Sequence, residues 1–352
     1  MSLDDGMAAI NLQMPARVPR TEYSAGCHWP LVRAVTGIDV SEKSPPDVQD
    51  KASCAFEKAW HFDLFWSTLI GGAEFGRYRT NMGHAVYAAG GTDFVPVGKE
   101  LFDDPEKVFA FDPEAAFGRR DHKELISRFE AHYRHNCAAR PFGVNMTGTY
   151  VTLLSGLIDL LGWDMLLLAA GTDARRFGDL ANRYARWMQP FYEALAESSV
   201  PVVMVHDDIV WTSGAFLHPD WYRQYVFPNY RRYFAPIRDA GKKILYTSDG
   251  NYTEFIDDVV AAGVHGLVME PTTDMKYVAE TYGRTHAFIG NADTRILLFG
   301  SRAEIRAEVE RCMAIGKKYP GFLLAVGNHI PSNTPVENAL YYNEVYEELC
   351  RR

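Results

Sequence analysis

Two stretches decide the fold: Lys243–Asn251, KILYTSDGN, and Gly266–Pro271, GLVMEP. Each is a short apolar run that stops abruptly in polar residues, which reads as a buried strand. Between them Thr253–Ala262 reads as a helix stopped by Gly263, giving strand, helix, strand. The unit repeats toward the C-terminus. Asp274–Tyr282 is helical, Ala287–Gly290 a strand, and Ser301 with Glu304 forms a capping box for the next helix. Phe322–Val326 is the last strand and Val336–Leu349 the closing helix. It also repeats backwards. His218-Pro219-Asp220 opens a helix kinked at Pro228 and ended by Gly241. Before it come the strand Val200–Val205, the long helix Ala174–Ser198 and a helical stretch from Thr149 through Leu168. Earlier still are the strand Phe142–Met146 and the helix Lys123–Arg134. Strands alternating with helices pair in parallel, with the helices outside.

Two architectures satisfy that alternation, an open doubly wound sheet and a closed (β/α)8 barrel. In an open sheet only strands at the switch point supply a site, whereas in a barrel every strand end faces one mouth. Five successive strands here end in polar residues, which favours the (β/α)8 TIM barrel. The first hundred residues are less regular, with strands at Phe62–Leu69 and Asp93–Val97. We therefore expect an N-terminal extension at 1–60 packing on a single barrel at 61–352, with no linker between independent domains.

The strand ends collect the candidate site. His206, Asp208, Asp249 and His329 are the candidates for acid/base work. Ser248, Asn251, Glu270, Asn291, Asp293 and Asn328 are candidates for holding a polar substrate, with Tyr246, Trp211 and Tyr252 as aromatic partners for a methylated cation. Any single Asp, Asn or Ser at such a position also serves as a helix cap or turn residue. Two histidines and a glutamate are poor caps, so the set as a whole points to a mouth that binds or relays protons. His84 reads as a structural histidine.

Composition narrows the function further. The chain has 352 residues and a formal charge of −9, which disfavours a nucleic-acid surface. Five cysteines without a CxxC pair make neither a disulfide framework nor a zinc finger, and suit a reducing cytoplasm. The apolar run Val151–Leu168 is interrupted by Ser155, Asp159 and Asp164, so no membrane span is expected. Dinucleotide, P-loop, HExxH and GxSxG signatures are absent.

Together, His206-Asp207-Asp208, KILYTSDGN, GLVMEP and Gly327–Asn338 (GNHIPSNTPVEN) resemble the uroporphyrinogen decarboxylase superfamily. The resemblance is best over about 201–349 and looser over about 76–94 and 141–154. It implies a (β/α)8 barrel with its site at the carboxyl ends of the strands, and a homodimer. The group includes the decarboxylase itself and zinc-dependent methyltransferases that exchange methyl groups with corrinoid or thiol carriers.

Departures from both branches are informative. The zinc methyltransferases carry His-x-Cys before Gly-Asn and a further Cys near the last strand. Here those positions read Thr247-Ser248-Asp249 and Asn328-His329, so the thiolates are missing, although Glu270, Asp249 and His329 offer harder donors. The decarboxylase branch carries an Arg-rich amino-terminal segment for its substrate's carboxylates; this chain offers only Arg17 and Arg20. The leading expectation is methyl transfer from a small polar or methylated substrate, with a corrinoid protein as partner. The alternatives are decarboxylation in tetrapyrrole biosynthesis, which needs no cofactor, and a non-catalytic binding member.

Overall fold

The computed structural model describes residues 3–80 and 101–352, together with the backbone of two short antiparallel strands, Val86–Tyr87 and Asp93–Phe94. The expected strand at Asp93–Val97 is therefore described only over its first two residues, and His84 lies outside the described residues.

Six strands pair in parallel, in the spatial order Thr147–Thr149, Val202–His206, Lys243–Ser248, Gly266–Met269, Ala287–Ile289 and Phe322–Leu323. A seventh, Leu64–Phe65, pairs in parallel with Val144–Asn145, the start of the Thr147–Thr149 stave. The ring is completed by an eighth segment near the N-terminus. Arg20 bridges in parallel to both Phe62 and Leu324. Main-chain bonds from Thr21 to Leu324 (3.1 Å), Leu324 to Pro19 (2.9 Å) and Asp63 to Arg20 (2.9 Å) hold it there. Among the described residues that makes eight staves, the (β/α)8 arrangement. The segment before residue 61 thus enters the wall of the barrel as well as packing on it.

Alternation along the strands sorts two cores. Leu64, Met146, Met204, Leu245, Val268 and Ile289 fill the barrel interior, where Ala9 and Ile10 of the Leu3–Ile10 helix join them. Val203, Val205, Ile244, Tyr246, Leu267 and Phe288 face the helices instead. Each such burial stabilises the fold by about 1.5–3 kcal/mol.

Most helices follow the expected boundaries, although the Lys123–Arg134 helix runs on to Ala139 and Thr294–Phe299 is a further, unexpected helix. The stretch Thr149–Leu168 is not one helix. Its start belongs to a strand, and the remainder is two helices, Leu154–Leu161 and Trp163–Thr172, bent by 109° where Gly162 takes positive φ. A run of apolar residues cannot distinguish a strand end from a helix start, and Gly162 supplied the break. Among the described residues no single helix is long and apolar enough to cross a membrane.

Candidate active site

Inward-facing positions at the strand ends enclose a chamber of about 120 Å3 at the barrel mouth. Its walls include Tyr23, Trp66, Tyr150, His206, Asp249 and His329, with Thr247 and Asn328 beside them. Tyr23 and Trp66 stack with ring centroids 5.2 Å apart. A larger hollow of about 270 Å3 lies behind this pair, against the helices Pro46–Ala59 and His122–Ala139. Tyr23, Trp66, Tyr150 and Thr247 were not singled out from sequence. For Thr247 the signal was available, because it alternates with Leu245 along a six-residue strand. The aromatic three come from segments too short to show alternation.

His206 is held at both ring nitrogens. It is buried, and its ring stacks on Tyr150 at 3.8 Å. Its Nδ1 lies 3.0 Å from the Tyr150 carbonyl oxygen. A carbonyl only accepts, so Nδ1 carries a proton, and Nε2 meets Asp208 at 3.2 Å. Burial alone would push the imidazole pKa down; the charge and hydrogen bond of Asp208, then the charge of Asp249, overcome it and raise the pKa to about 9. The Asp249 amide donates to the same Asp208 carboxylate at 2.9 Å. One ligand atom each from His206, Asp208 and Asp249 lies within 4.8 Å of the others.

His329 faces this cluster across the chamber. Its Nδ1 is 2.8 Å from the Ser24 hydroxyl, and its ring meets Tyr23 edge-on at 5.5 Å. Burial, then the nearby His206, lowers its pKa. Glu270 ties the rim together, accepting from the Gly250 amide (2.8 Å) and from the Asn328 side chain.

Several strand-end candidates have other employment. Tyr246 points into the outer core, its hydroxyl on the Asp207 carbonyl at 3.2 Å, and Tyr252 is buried there beside it. Ser248 is also buried, and accepts from the Ile209 amide (3.2 Å). Asn251 accepts from the Thr253 amide (3.1 Å), which makes it a turn residue. Asn291 donates to the carbonyls of Glu270 and Thr273, and accepts from Arg311. Asp293 caps the helix Thr294–Phe299 and pairs with Arg295 at 2.6 Å. Trp211 sits on a short hairpin, 43% exposed, against Trp163 and Phe216 rather than among the chamber walls. The aromatic residues lining the chamber are thus Tyr23, Trp66 and Tyr150, and not the expected Trp211, Tyr246 and Tyr252.

Zinc held by thiolates does not fit these residues. Thr247 and Asp249 occupy the His-x-Cys positions, and no cysteine is among the chamber-lining residues described. The harder set expected of Glu270, Asp249 and His329 does not gather as a group of three. Asp249 clusters instead with His206 and Asp208.

Comparison with known proteins agrees with the architecture. Residues 147–349 match the profile described as uroporphyrinogen decarboxylase (URO-D). Proteins named uroporphyrinogen decarboxylase are similar over about half of the chain: 28% identity with that of Carboxydothermus hydrogenoformans, across 49% of this chain and 47% of that protein. A protein of the same name from Thermus thermophilus is 29% identical across 49% and 48%. The chain therefore spans about half the length of the curated relatives it matches. A solved structure described as a methyltransferase from Methanosarcina mazei shares the fold, with a TM-score of 0.65 and 17% identity over 98% of each chain. The chain, more than half of which carries this profile, belongs to the uroporphyrinogen decarboxylase family.

Proposed function

We propose that the chain is a one-carbon transferase that takes a methyl group from a small polar substrate held in the mouth chamber. The observation that carries this reading is where the two amino-terminal arginines go. Arg17 pairs with Asp63 at 2.5 Å and donates to the Tyr346 hydroxyl at 2.8 Å. Arg20 is fully buried, paired with Glu22 at 3.0 Å and bonded to Asn343, between the rings of Trp60 and Tyr346. Both guanidinium groups are consumed in holding the N-terminal stave. A tetrapyrrole bearing many carboxylates needs several such cations, and among the described residues the chamber presents aspartate, imidazole and aromatic faces instead.

In this reading Tyr23, Trp66 and Tyr150 enclose the methyl-bearing end and exclude water. Ser24 engages His329 Nδ1 and so orients the imidazole that exchanges a proton with the bound molecule. His206, fixed by Tyr150 and Asp208, orients the polar end. Names of relatives divide between the two branches, decarboxylase by sequence and methyltransferase by structure. The acceptor in the methyltransferase branch is a corrinoid or a thiol, and a corrinoid partner belongs to this proposal. The test is methyl release from a panel of small methylated ethers, amines and thiols, with a corrinoid or thiol acceptor supplied. Turnover is expected for the native chain and lost in His329→Ala without loss of fold. Coproporphyrinogen appearing from uroporphyrinogen, or full activity in His329→Ala, overturns the reading.

A further inference from the structure

We infer that His206, Asp208 and Asp249 form a binding site for a borderline or hard divalent cation such as Mn2+ or Co2+, in place of the thiolate-held zinc that the family resemblance implies. The three side chains come from the ends of two adjacent strands whose register, His206 opposite Thr247, is fixed by the parallel ladder. Their ligand atoms fall within 4.8 Å of one another without any rearrangement of the strands.

A second observation concerns the groups behind the ligands. Histidines that bind metal almost always donate the other ring N–H to a carbonyl or carboxylate, which fixes the tautomer and aims the lone pair. His206 does so through Nδ1 to the Tyr150 carbonyl at 3.0 Å, while the stacked Tyr150 ring prevents it from turning. That leaves Nε2 facing the carboxylates, where a bound cation would replace the proton that Nε2 otherwise shares with Asp208. Asp208 is oriented in the same manner by the Asp249 amide at 2.9 Å. The ligands are supported independently of the ion.

The donor set decides which ion. One imidazole and two carboxylates suit first-row divalent cations that accept oxygen and nitrogen, whereas soft thiolates select zinc or copper(I). His206 and Asp249 also line the chamber, so an ion there would meet a molecule bound in it. Cation binding is measured without substrate, so it succeeds or fails separately from the proposed methyl transfer.

The experiment uses the whole chain after chelator treatment, titrated with Mn2+ while the free ion is followed by electron paramagnetic resonance. One saturable Mn2+ per chain is expected. Asp249→Asn and His206→Gln should each weaken it by more than about tenfold, while Cys27→Ser leaves it unchanged. Far-UV circular dichroism and urea unfolding check that the variants fold. Should they not, the native chain is loaded with Co2+, whose spectrum should lack a thiolate charge-transfer band. No saturable Mn2+, unchanged affinity in folded Asp249→Asn, or a thiolate band would each overturn the inference.

Discussion

Asp207 and Asp208 are neighbours in the chain, yet their carboxylates serve different halves of the barrel wall. Asp207 is fully buried and accepts the amides of Leu153 (3.1 Å), Leu154 (3.1 Å) and Ser155 (2.6 Å), plus the Tyr230 hydroxyl. It thereby holds the first turn of the Leu154–Leu161 helix, whose amides have no partners within the helix. Asp208 meets His206 and the Asp249 amide at the mouth.

That division makes the first prediction. Asp207→Ala strands four donors in a dry site and should cost about 3 kcal/mol or more. Asp208→Asn should cost less than half as much while abolishing turnover or cation binding. Urea unfolding of the two variants decides it. Equal losses, or a loss under about 1 kcal/mol for Asp207→Ala, would count against the assignment.

Two glycines should respond oppositely to alanine. A Cβ on Gly148 would overlap the Met204 carbonyl of the neighbouring strand, which is backbone and cannot step aside. Gly148→Ala should destabilise by about 1–3 kcal/mol or more. Gly171, in the Trp163–Thr172 helix, has nothing within 4 Å of an added Cβ. Gly171→Ala should stabilise by about 0.4–1 kcal/mol. Thermal unfolding of both tests the strand packing at the mouth of the barrel.

The ladder of alternating strands and helices was legible because apolar runs of four to six residues ended in polar groups. The site was legible only in part, for a reason the same strands make plain. Strand ends were collected by position along the chain, without asking which face each residue occupies. Alternation places Leu245 and Thr247 inside and Tyr246 and Ser248 outside, so two of four neighbours were assigned to the wrong side of the wall. Asp293 illustrates a second limit. A strand-end aspartate and a helix N-cap look identical in sequence when the loop between is one or two residues long. The closing stave around Arg20 was hidden because an isolated bridge leaves no periodic trace.

Ser24 should behave as a positioning residue for His329. It occupies a left-handed conformation, φ 49°, from which its hydroxyl reaches His329 Nδ1 at 2.8 Å. Ser24→Ala should lower kcat about tenfold with little change in KM, since a correctly placed acid or base contributes about 10²–10⁴. Asn tolerates the left-handed region and can bond to the ring, whereas a β-branched residue is strained there. Ser24→Asn should therefore rescue more activity than Ser24→Thr. Equal rescue by both would mean that a hydrogen bond to the ring, and not the backbone conformation, governs His329.

At the opposite end of the barrel His265 supplies a pH dependence of stability. Its Nδ1 accepts the Ile244 amide at 3.1 Å, a bond that only the ring with Nδ1 unprotonated can make. Burial, then the positive charges of Lys243, His286 and Arg238, pushes its pKa down to about 4. The folded state therefore favours the neutral ring more than the unfolded chain does, where the pKa is about 6.5. The stability this contributes is complete above about pH 6.5. It is lost as pH falls through the folded value of about 4. His265→Gln removes the titration, so the gap between native and variant urea midpoints should be constant above pH 7 and narrow as pH falls from 6.5 toward 4. Curves that stay parallel through that window would show that His265 titrates alike in both states, and that its bond to Ile244 does not hold the imidazole neutral.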